Sequence, residues 1–291
     1  MQPVATNPML TRDSWLAERM RHEELVQPWI GPRLARRAVQ EKHPVDDFLF
    51  EYYPISANKL RTWHPGFGHA LEANQEDFEN FNDKNYSFEA GAITLKPEWL
   101  NSISDEIAKT VSFLNATKQR PARTGCFGLH EWAMVLGQGE VRHETWQLRL
   151  TQKEIKDTIE EVGLRCTHFD AFRFFTDEAR PMNPLQLTRA DQGEFEQPGC
   201  LHANMDLYKH AQKFAPIFGS EIVRTAFSLA RDIRTVDMQV APYELSALGV
   251  LPIRVETTKG RIEFATRQQE FSDRAQELRE TMIKALNQAV S

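Results

Sequence analysis

The residues with the clearest chemical pattern lie in segment 200–210, where His202, Asp206 and His210 recur at intervals of four. Residues four apart share one face of a helix, so this spacing predicts a polar column of two imidazoles and a carboxylate. The flanking positions carry further polar side chains, namely Asn204, Tyr208 and Lys209. A helix that lines a reactive or binding pocket is expected to carry such a column.

Two other segments also pair an imidazole with a carboxylate among apolar neighbours. Segment 128–132 contains His130 beside Glu131, and segment 166–175 contains His168 near Asp170. Burial shifts the pKa of such groups, which suits general acid–base catalysis or the stabilisation of a cation. We therefore expect the three segments to meet in one enclosed, aromatic-walled chamber.

The candidate residues fall into two sets. The candidate catalytic residues are Asp170, Asp206 and His202. The candidate substrate-binding residues are His130, Glu131, Trp132, His168, Arg173, Asn204, Tyr208 and Lys209. Asp170 and Arg173 lie among four phenylalanines, which predicts a buried ion pair; the sequence leaves open whether that pair fixes packing or takes part in chemistry.

A metal site is the alternative hypothesis, because histidine and carboxylate side chains are common ligands of divalent ions. The candidate ligands at helical spacing are His43, Asp47, His202, Asp206 and His210. Glu140 and His143 form a single Glu-x-x-His pair next to two glycines, and no His-Glu-x-x-His occurs. The chain has no Gly-x-Gly-x-x-Gly, P-loop or Gly-x-Ser-x-Gly motif, so no organic cofactor is expected. Arg234, Asp237 and Tyr243 lie near a predicted helix end, a common place for ligand contacts, although a solvated face is the favoured interpretation.

Composition limits the partners. The net charge of −6 and the pI of about 5.9 argue against non-specific binding of nucleic acid, which relies on basic side chains. The three cysteines are far apart in the sequence and form no Cys-x-x-Cys, so neither a disulfide framework nor a structural zinc site is expected, and a reducing cytoplasm is favoured. No apolar run approaches 18 residues, so no membrane partner is expected.

The periodicity predicts a mainly α protein: a single helical domain over 1–291, with residues 1–10 as a disordered tail and few short strands. A first helix begins after Thr11 and is expected to break at Pro28 and Pro32. Two long ordered loops are expected over 63–90 and 178–198, because both stretches are rich in residues that interrupt helices.

Several segments resemble a bacterial family commonly labelled 3-methyladenine DNA glycosylase, over nearly the whole length of the chain. They are HPVDDFLF (43–50), WHPG (63–66), GLHEWAMV (128–135), THFDAFRFF (167–175) and PGCLHANMDLYK (198–209). The resemblance implies an N-glycosidic bond hydrolase that removes an alkylated nucleobase, in DNA or as a nucleoside. No catalytic residue is carried over, because the Pro-Gly-Phe-Gly turn at 65–68 is not followed by a convincing catalytic aspartate.

The chemistry of the residues is compatible with base excision. A cationic methylated base needs an aromatic slot to stack in and a carboxylate that stabilises an oxocarbenium-like transition state. Asp170 and Asp206 are the candidates for that carboxylate. The candidates for stacking are Trp132, Phe169, Phe172 and Tyr208.

Overall fold

The computed structural model describes residues 9–138 and 146–291. Helices dominate this part of the chain and the strands are few and short, which confirms the mainly α fold class. The helices are α1 (Arg12–Ala38), α2 (Phe48–Tyr52), α3 (Ala57–Arg61), α4 (Gln75–Phe78), α5 (Pro97–Ser102), α6 (Ser104–Gln119), α7 (His130–Ala133), α8 (Gln152–Val162), α9 (Phe169–Phe172), α10 (Gln192–Phe195), α11 (Leu201–Lys213), α12 (Ala215–Val240) and α13 (Thr258–Ala289). The strands are β1 (Met9–Leu10), β2 (Ala70–Glu72), β3 (Tyr86–Glu89) and β4 (Ala92–Leu95). No helix within the described ranges is both long and apolar enough to cross a membrane.

The chain divides into two compact units. Unit 1 comprises the described residues up to Ser112, together with Tyr208–Phe227 and Leu278–Ser291, and unit 2 comprises Phe113–Leu207 and Ser228–Glu277. The division passes through α11, α12 and α13, so these three helices contribute residues to both units. The expected single domain over 1–291 stays a prediction.

Unit 1 is organised around a small sheet with the strand order β1-β2-β4-β3, in which only the β1–β2 pair is parallel. Trp15 of α1 is fully buried against this sheet, and its indole Nε1 donates a hydrogen bond of 2.8 Å to the carbonyl of Glu72. Because Met9 and Leu10 pair with β2, the predicted disordered tail does not extend through them. Residues 1–8 of that tail lie outside the described ranges.

Two local predictions for unit 1 are wrong. α1 continues through Pro28 and Pro32, although an internal proline costs a helix about 3 kcal/mol. Trp15, Val26 and Ile30 are buried along this helix, and that packing holds it together past both prolines. The predicted loop over 63–90 contains β2, α4 and β3, whose three or four residues are too few to display a readable alternation.

Unit 2 contains short helices joined by ordered connections, and it includes the first half of α11. Helix α8 begins with a capping box between Thr151 and Glu154 and ends at Gly163. The predicted connection over 178–198 forms two 3-10 turns (Arg180–Met182 and Arg189–Asp191) followed by α10. This connection leads directly into α11 and so positions the start of that helix.

Candidate functional site

Three buried imidazoles lie together in unit 2: those of His130, His168 and His202. The ring centroids of His130 and His202 are 4.4 Å apart in an edge-on arrangement. The rings of His168 and His202 are stacked with centroids 5.2 Å apart. His130 begins α7, His168 directly precedes α9, and His202 lies in the first turn of α11. The structure therefore brings the three segments singled out in the sequence to one place.

Two of these imidazoles form a group with Asp237 of α12, which we call the first ligand group (His130, His202, Asp237). One ligand atom of each residue lies within 4.8 Å of the others, and all three residues are buried. The Nε2 atom of His130 is 2.9 Å from Oδ1 of Asp237. Two atoms about 2.1 Å from a common ion are separated by about 3.0 Å when they subtend a right angle at it. The observed separation therefore matches two ligands of one metal ion.

The contact between His130 and Asp237 is a buried ion pair that lacks the alignment of a good hydrogen bond. Neither Nε2 of His130 nor Oδ1 of Asp237 has a well-aligned hydrogen-bond partner elsewhere. A buried polar atom that lacks a partner is costly. A cation placed between these two atoms would satisfy both of them.

A buried ionic network holds Asp237 from its other side. Nη1 of Arg234 donates to Oδ2 of Asp237 over 2.7 Å and to Oε1 of Glu131 over 3.0 Å. The hydroxyl of Tyr243 donates a long hydrogen bond of 3.4 Å to the second oxygen of Glu131. Because Arg234 occupies Oδ2, the orientation of the Asp237 carboxylate is fixed with Oδ1 turned towards His130. This is how outer partners commonly orient a metal ligand.

The protonation of the first ligand group follows from burial and charge. Burial, helped by the neighbouring imidazoles, lowers the pKa of His202 well below its ordinary value, so this ring is neutral at pH 7. Burial also opposes charge on His130, but the carboxylate of Asp237 outweighs it and raises the pKa of His130. Burial raises the pKa of Asp237, but His130 and Arg234 outweigh this effect and lower it. At neutral pH the group therefore offers an anionic oxygen and the neutral imidazole of His202, whereas an ion would have to displace the proton that Asp237 stabilises on His130.

A second set of buried residues adjoins the first, and we call it the second ligand group (His168, Glu196, Asp206). One ligand atom of each of its residues also lies within 4.8 Å of the others. The pair formed by His168 Nδ1 and Glu196 Oε1 measures 2.8 Å. Helix α11 supplies both His202 and Asp206, one turn apart, so the polar column predicted from the sequence contributes to both groups.

A cavity of about 20 Å³ lies beside these imidazoles. It has room for about one water molecule or one ion, whereas pockets that enclose drug-sized ligands measure roughly 300–1,000 Å³. Its walls include His130, His168 and His202, together with all three cysteines of the chain, which are Cys126, Cys166 and Cys200. Only one aromatic residue of the Phe, Tyr or Trp type lines it, Phe175, so the expectation of aromatic walls is wrong.

The three thiols were not expected to meet, because they are distant in the sequence. Burial raises the pKa of all three, that of Cys166 to about 12. They are therefore protonated at neutral pH, and a protonated thiol is a poor nucleophile. None of the three belongs to either ligand group. The thiols act as part of the cavity wall, and the imidazoles and carboxylates remain as the reactive groups.

Other candidates from the sequence have structural roles around the site. Nε1 of Trp132 donates to the carbonyl of Val240 over 2.8 Å, and the guanidinium of Arg149 lies 5.5 Å from the centroid of its ring. Nδ2 of Asn204 donates to the carbonyl of Pro198 over 2.8 Å and so fixes the start of α11. Both side chains are fully buried, and neither lines the cavity.

The prediction that Asp170 and Arg173 form a buried pair is wrong. Arg173 is exposed, and Asp170 lies near the surface, where it contacts both Arg173 and Arg189. The cause is the shortness of α9: Ala171 and Phe172 face the core, which leaves their polar neighbours facing outwards. The cations of Arg189 and Arg180 also cover the rings of Phe169 and Phe172, respectively.

The metal ligands proposed from the sequence are only partly brought together. Asp47 is buried in unit 1, where Arg33 and Arg36 neutralise it and the backbone amide of His43 donates to it. His43, Asp47 and His210 belong to neither ligand group of the described residues, and their role as ligands stays a prediction. The pair of Glu140 and His143 lies outside the described residues.

Two substrate-binding candidates of α11 belong to unit 1. The ring of Tyr208 packs edge-on against Tyr53 and Phe227, and Lys209 is half-buried. Neither side chain lines the cavity.

Two members of the site, Asp237 and Glu196, are not among the site residues predicted from the sequence. Asp237 lies three residues after Arg234 on α12, and that spacing signals an ion pair on one helix face, although it does not distinguish a solvated pair from a buried one. Glu196 lies in the connection before α11 and has no periodic signal around it.

Comparison of the chain with protein-family models, with curated proteins and with solved structures found no match. The case for a function therefore depends on the geometry of the site.

Proposed function

We propose that the protein is a metal-dependent enzyme that acts on a small molecule, with a divalent transition-metal ion such as iron bound by His130, His202 and Asp237. The observation that carries this proposal is the pair formed by Nε2 of His130 and Oδ1 of Asp237. Its atoms lie 2.9 Å apart, both are buried, and neither has a well-aligned hydrogen-bond partner.

The donor set supports an ion of this class. Two imidazoles and one carboxylate form the ligand set that binds Fe(II) in many oxygen-activating enzymes and leaves coordination positions open. Three protein ligands with an open position are also typical of catalytic zinc. The neutral state of His202 and the orientation of Asp237 by Arg234 both favour binding, because an ion requires deprotonated ligands.

The resemblance seen in the sequence implies base excision, and this function stays a prediction. One observation favours the metal proposal over it. Asp170, one of the two carboxylates assigned to stabilise the transition state, is instead paired with two arginines near the surface.

The proposal is tested by elemental analysis of the purified full-length chain after expression with iron, manganese and zinc supplements. We expect stoichiometric metal in the wild-type protein and its loss in Asp237→Asn. Asp170→Asn is the matched control, because Asp170 carries the same functional group in the same unit outside both ligand groups, and it should retain the metal.

An assay for release of free base from alkylated DNA separates the two functions. Base release that persists in a metal-free protein with a chelator present would overturn the metal proposal in favour of excision. Wild-type protein that binds none of the three metals would overturn it as well.

A further inference from the structure

The second ligand group has the same features that define the first. His168, Glu196 and Asp206 are buried, and one ligand atom of each lies within 4.8 Å of the other two. The three residues come from separate segments: His168 precedes α9, Glu196 follows α10, and Asp206 lies on α11. A cluster assembled from three distant segments does not arise from the local geometry of one loop.

Two buried atoms of this group lack a partner. The Nδ1 atom of His168 and Oε1 of Glu196 form a hydrogen bond of 2.8 Å. This bond does not involve Nε2 of His168 or Oε2 of Glu196. Neither Nε2 of His168 nor Oε2 of Glu196 has a hydrogen-bond partner, although both residues are almost fully buried. A buried carboxylate oxygen with no donor is among the costliest arrangements in a protein interior, and a cation relieves it.

The two groups are neighbours. The stacked rings of His168 and His202 join them at a centroid distance of 5.2 Å, and His202 and Asp206 lie one turn apart on α11. We propose that His168, Glu196 and Asp206 bind a second divalent cation, which makes the centre dinuclear. This inference rests on the proposed function, because it extends the metal centre assigned there.

The donor set defines the class of ion. Two carboxylates and one imidazole form an oxygen-rich site, which suits Mn(II), Fe(II) or Zn(II) better than a thiophilic ion such as Cu(I). Two adjacent ions can hold both reacting groups of a substrate and share the charge that develops between them. The second ion would therefore suit a reaction in which two groups of one substrate each bind a metal ion.

The experiment is a titration of the metal-free full-length protein with Mn(II), followed by electron paramagnetic resonance and by elemental analysis after gel filtration. We expect two ions per chain in the wild-type protein and a spectrum that shows exchange coupling between them. Glu196→Gln should retain one ion and lose the coupling. Glu194→Gln is the matched control, since Glu194 is exposed on the same short segment, and it should retain both ions.

The outcomes separate this inference from the proposed function. One ion per wild-type chain that is lost in Asp237→Asn and kept in Glu196→Gln would overturn the second site and leave the first standing. No bound ion in the wild-type protein would overturn both. Circular dichroism of each variant shows whether Glu196→Gln has unfolded the chain. If it has, the number of ions bound by the wild-type protein and the exchange coupling between them decide the question alone.

Discussion

His202 and Asp206 lie one helical turn apart on α11, yet they belong to different groups of buried metal-binding side chains. The first two turns of this helix therefore hold both halves of the candidate centre in a fixed relation. Displacing α11 by a small distance should disturb both groups at once, and the following predictions test the elements that hold the site in place.

The turn that precedes α11 should not tolerate a side chain at Gly199. A Cβ atom there would lie 2.6 Å from the carbonyl oxygen of Arg123 and 2.8 Å from its nitrogen, and backbone atoms cannot move aside cheaply. We expect Gly199→Ala to destabilise the protein by roughly 1–3 kcal/mol and to lower its metal content. Gly193→Ala is the control, because no atom lies within 4 Å of its Cβ position. Urea unfolding measures both changes, and equal stability of the two variants would contradict the prediction.

Removing the charge of Arg234 should strongly destabilise the protein. Its guanidinium is the shared partner of the buried carboxylates of Glu131 and Asp237, so Arg234→Met leaves both without it. We expect a loss of about 3–5 kcal/mol in the free energy of unfolding. Arg173→Met removes an exposed arginine from its pair with Asp170 and should cost less than about 1 kcal/mol. Chemical denaturation of both variants at pH 7 gives the comparison.

A bound ion should stabilise the native state by an amount that rises with the logarithm of its free concentration above the Kd. A ligand present at 100 times its Kd stabilises the protein by about 2.7 kcal/mol. We expect a chelator to lower the Tm of metal-loaded wild-type protein and to leave the Tm of Asp237→Asn nearly unchanged. Differential scanning calorimetry with and without the chelator measures this. A Tm of the wild type that does not respond to the chelator would argue against a structural contribution from the ion.

Acid should destabilise the protein through His64 of unit 1. Burial, together with the charge of His22, lowers the pKa of His64 from 6.5 to about 4. Between these two values the unfolded chain binds a proton that the folded chain does not, so stability falls as the pH falls from 6.5 to 4. We expect a loss of roughly 2 kcal/mol between pH 7 and pH 5 from this group. In His64→Gln, urea unfolding over that range should show a shallower decline; an unchanged slope would exclude His64 as the cause.

Sequence patterns predicted the long elements and part of the site for clear physical reasons. A helix of many turns repeats its periodic signal often enough for the mainly α class to be recognised. The spacing of four residues predicted that His202 and Asp206 share one face of α11. His130 and His168 were found because each lies next to a carboxylate within an apolar segment, which is unusual for a solvated surface.

The remaining members of the site depend on contacts between distant parts of the chain. In the sequence, the spacing of Arg234 and Asp237 is that of an ordinary surface ion pair, and only the packing of α12 against α7 buries Asp237. Glu196 is a single acidic residue in a connection between helices. The opposite error occurred at Asp170, where apolar neighbours suggested burial although the short α9 turns its carboxylate outwards. The three cysteines meet in one cavity for the same reason: sequence distance does not report proximity in the fold.

The residues of the first ligand group are spread from position 130 to position 237, and those of the second from 168 to 206. Closing such long loops in a flexible chain is entropically costly, so an unfolded polypeptide would offer little chelating power beyond the His202–Asp206 pair. In contrast to a zinc finger, which orders around its ion, this centre would be filled only after unit 2 has adopted its native structure. Delivery of metal to the finished protein, rather than metal availability during synthesis, would then limit the amount of active enzyme in a cell.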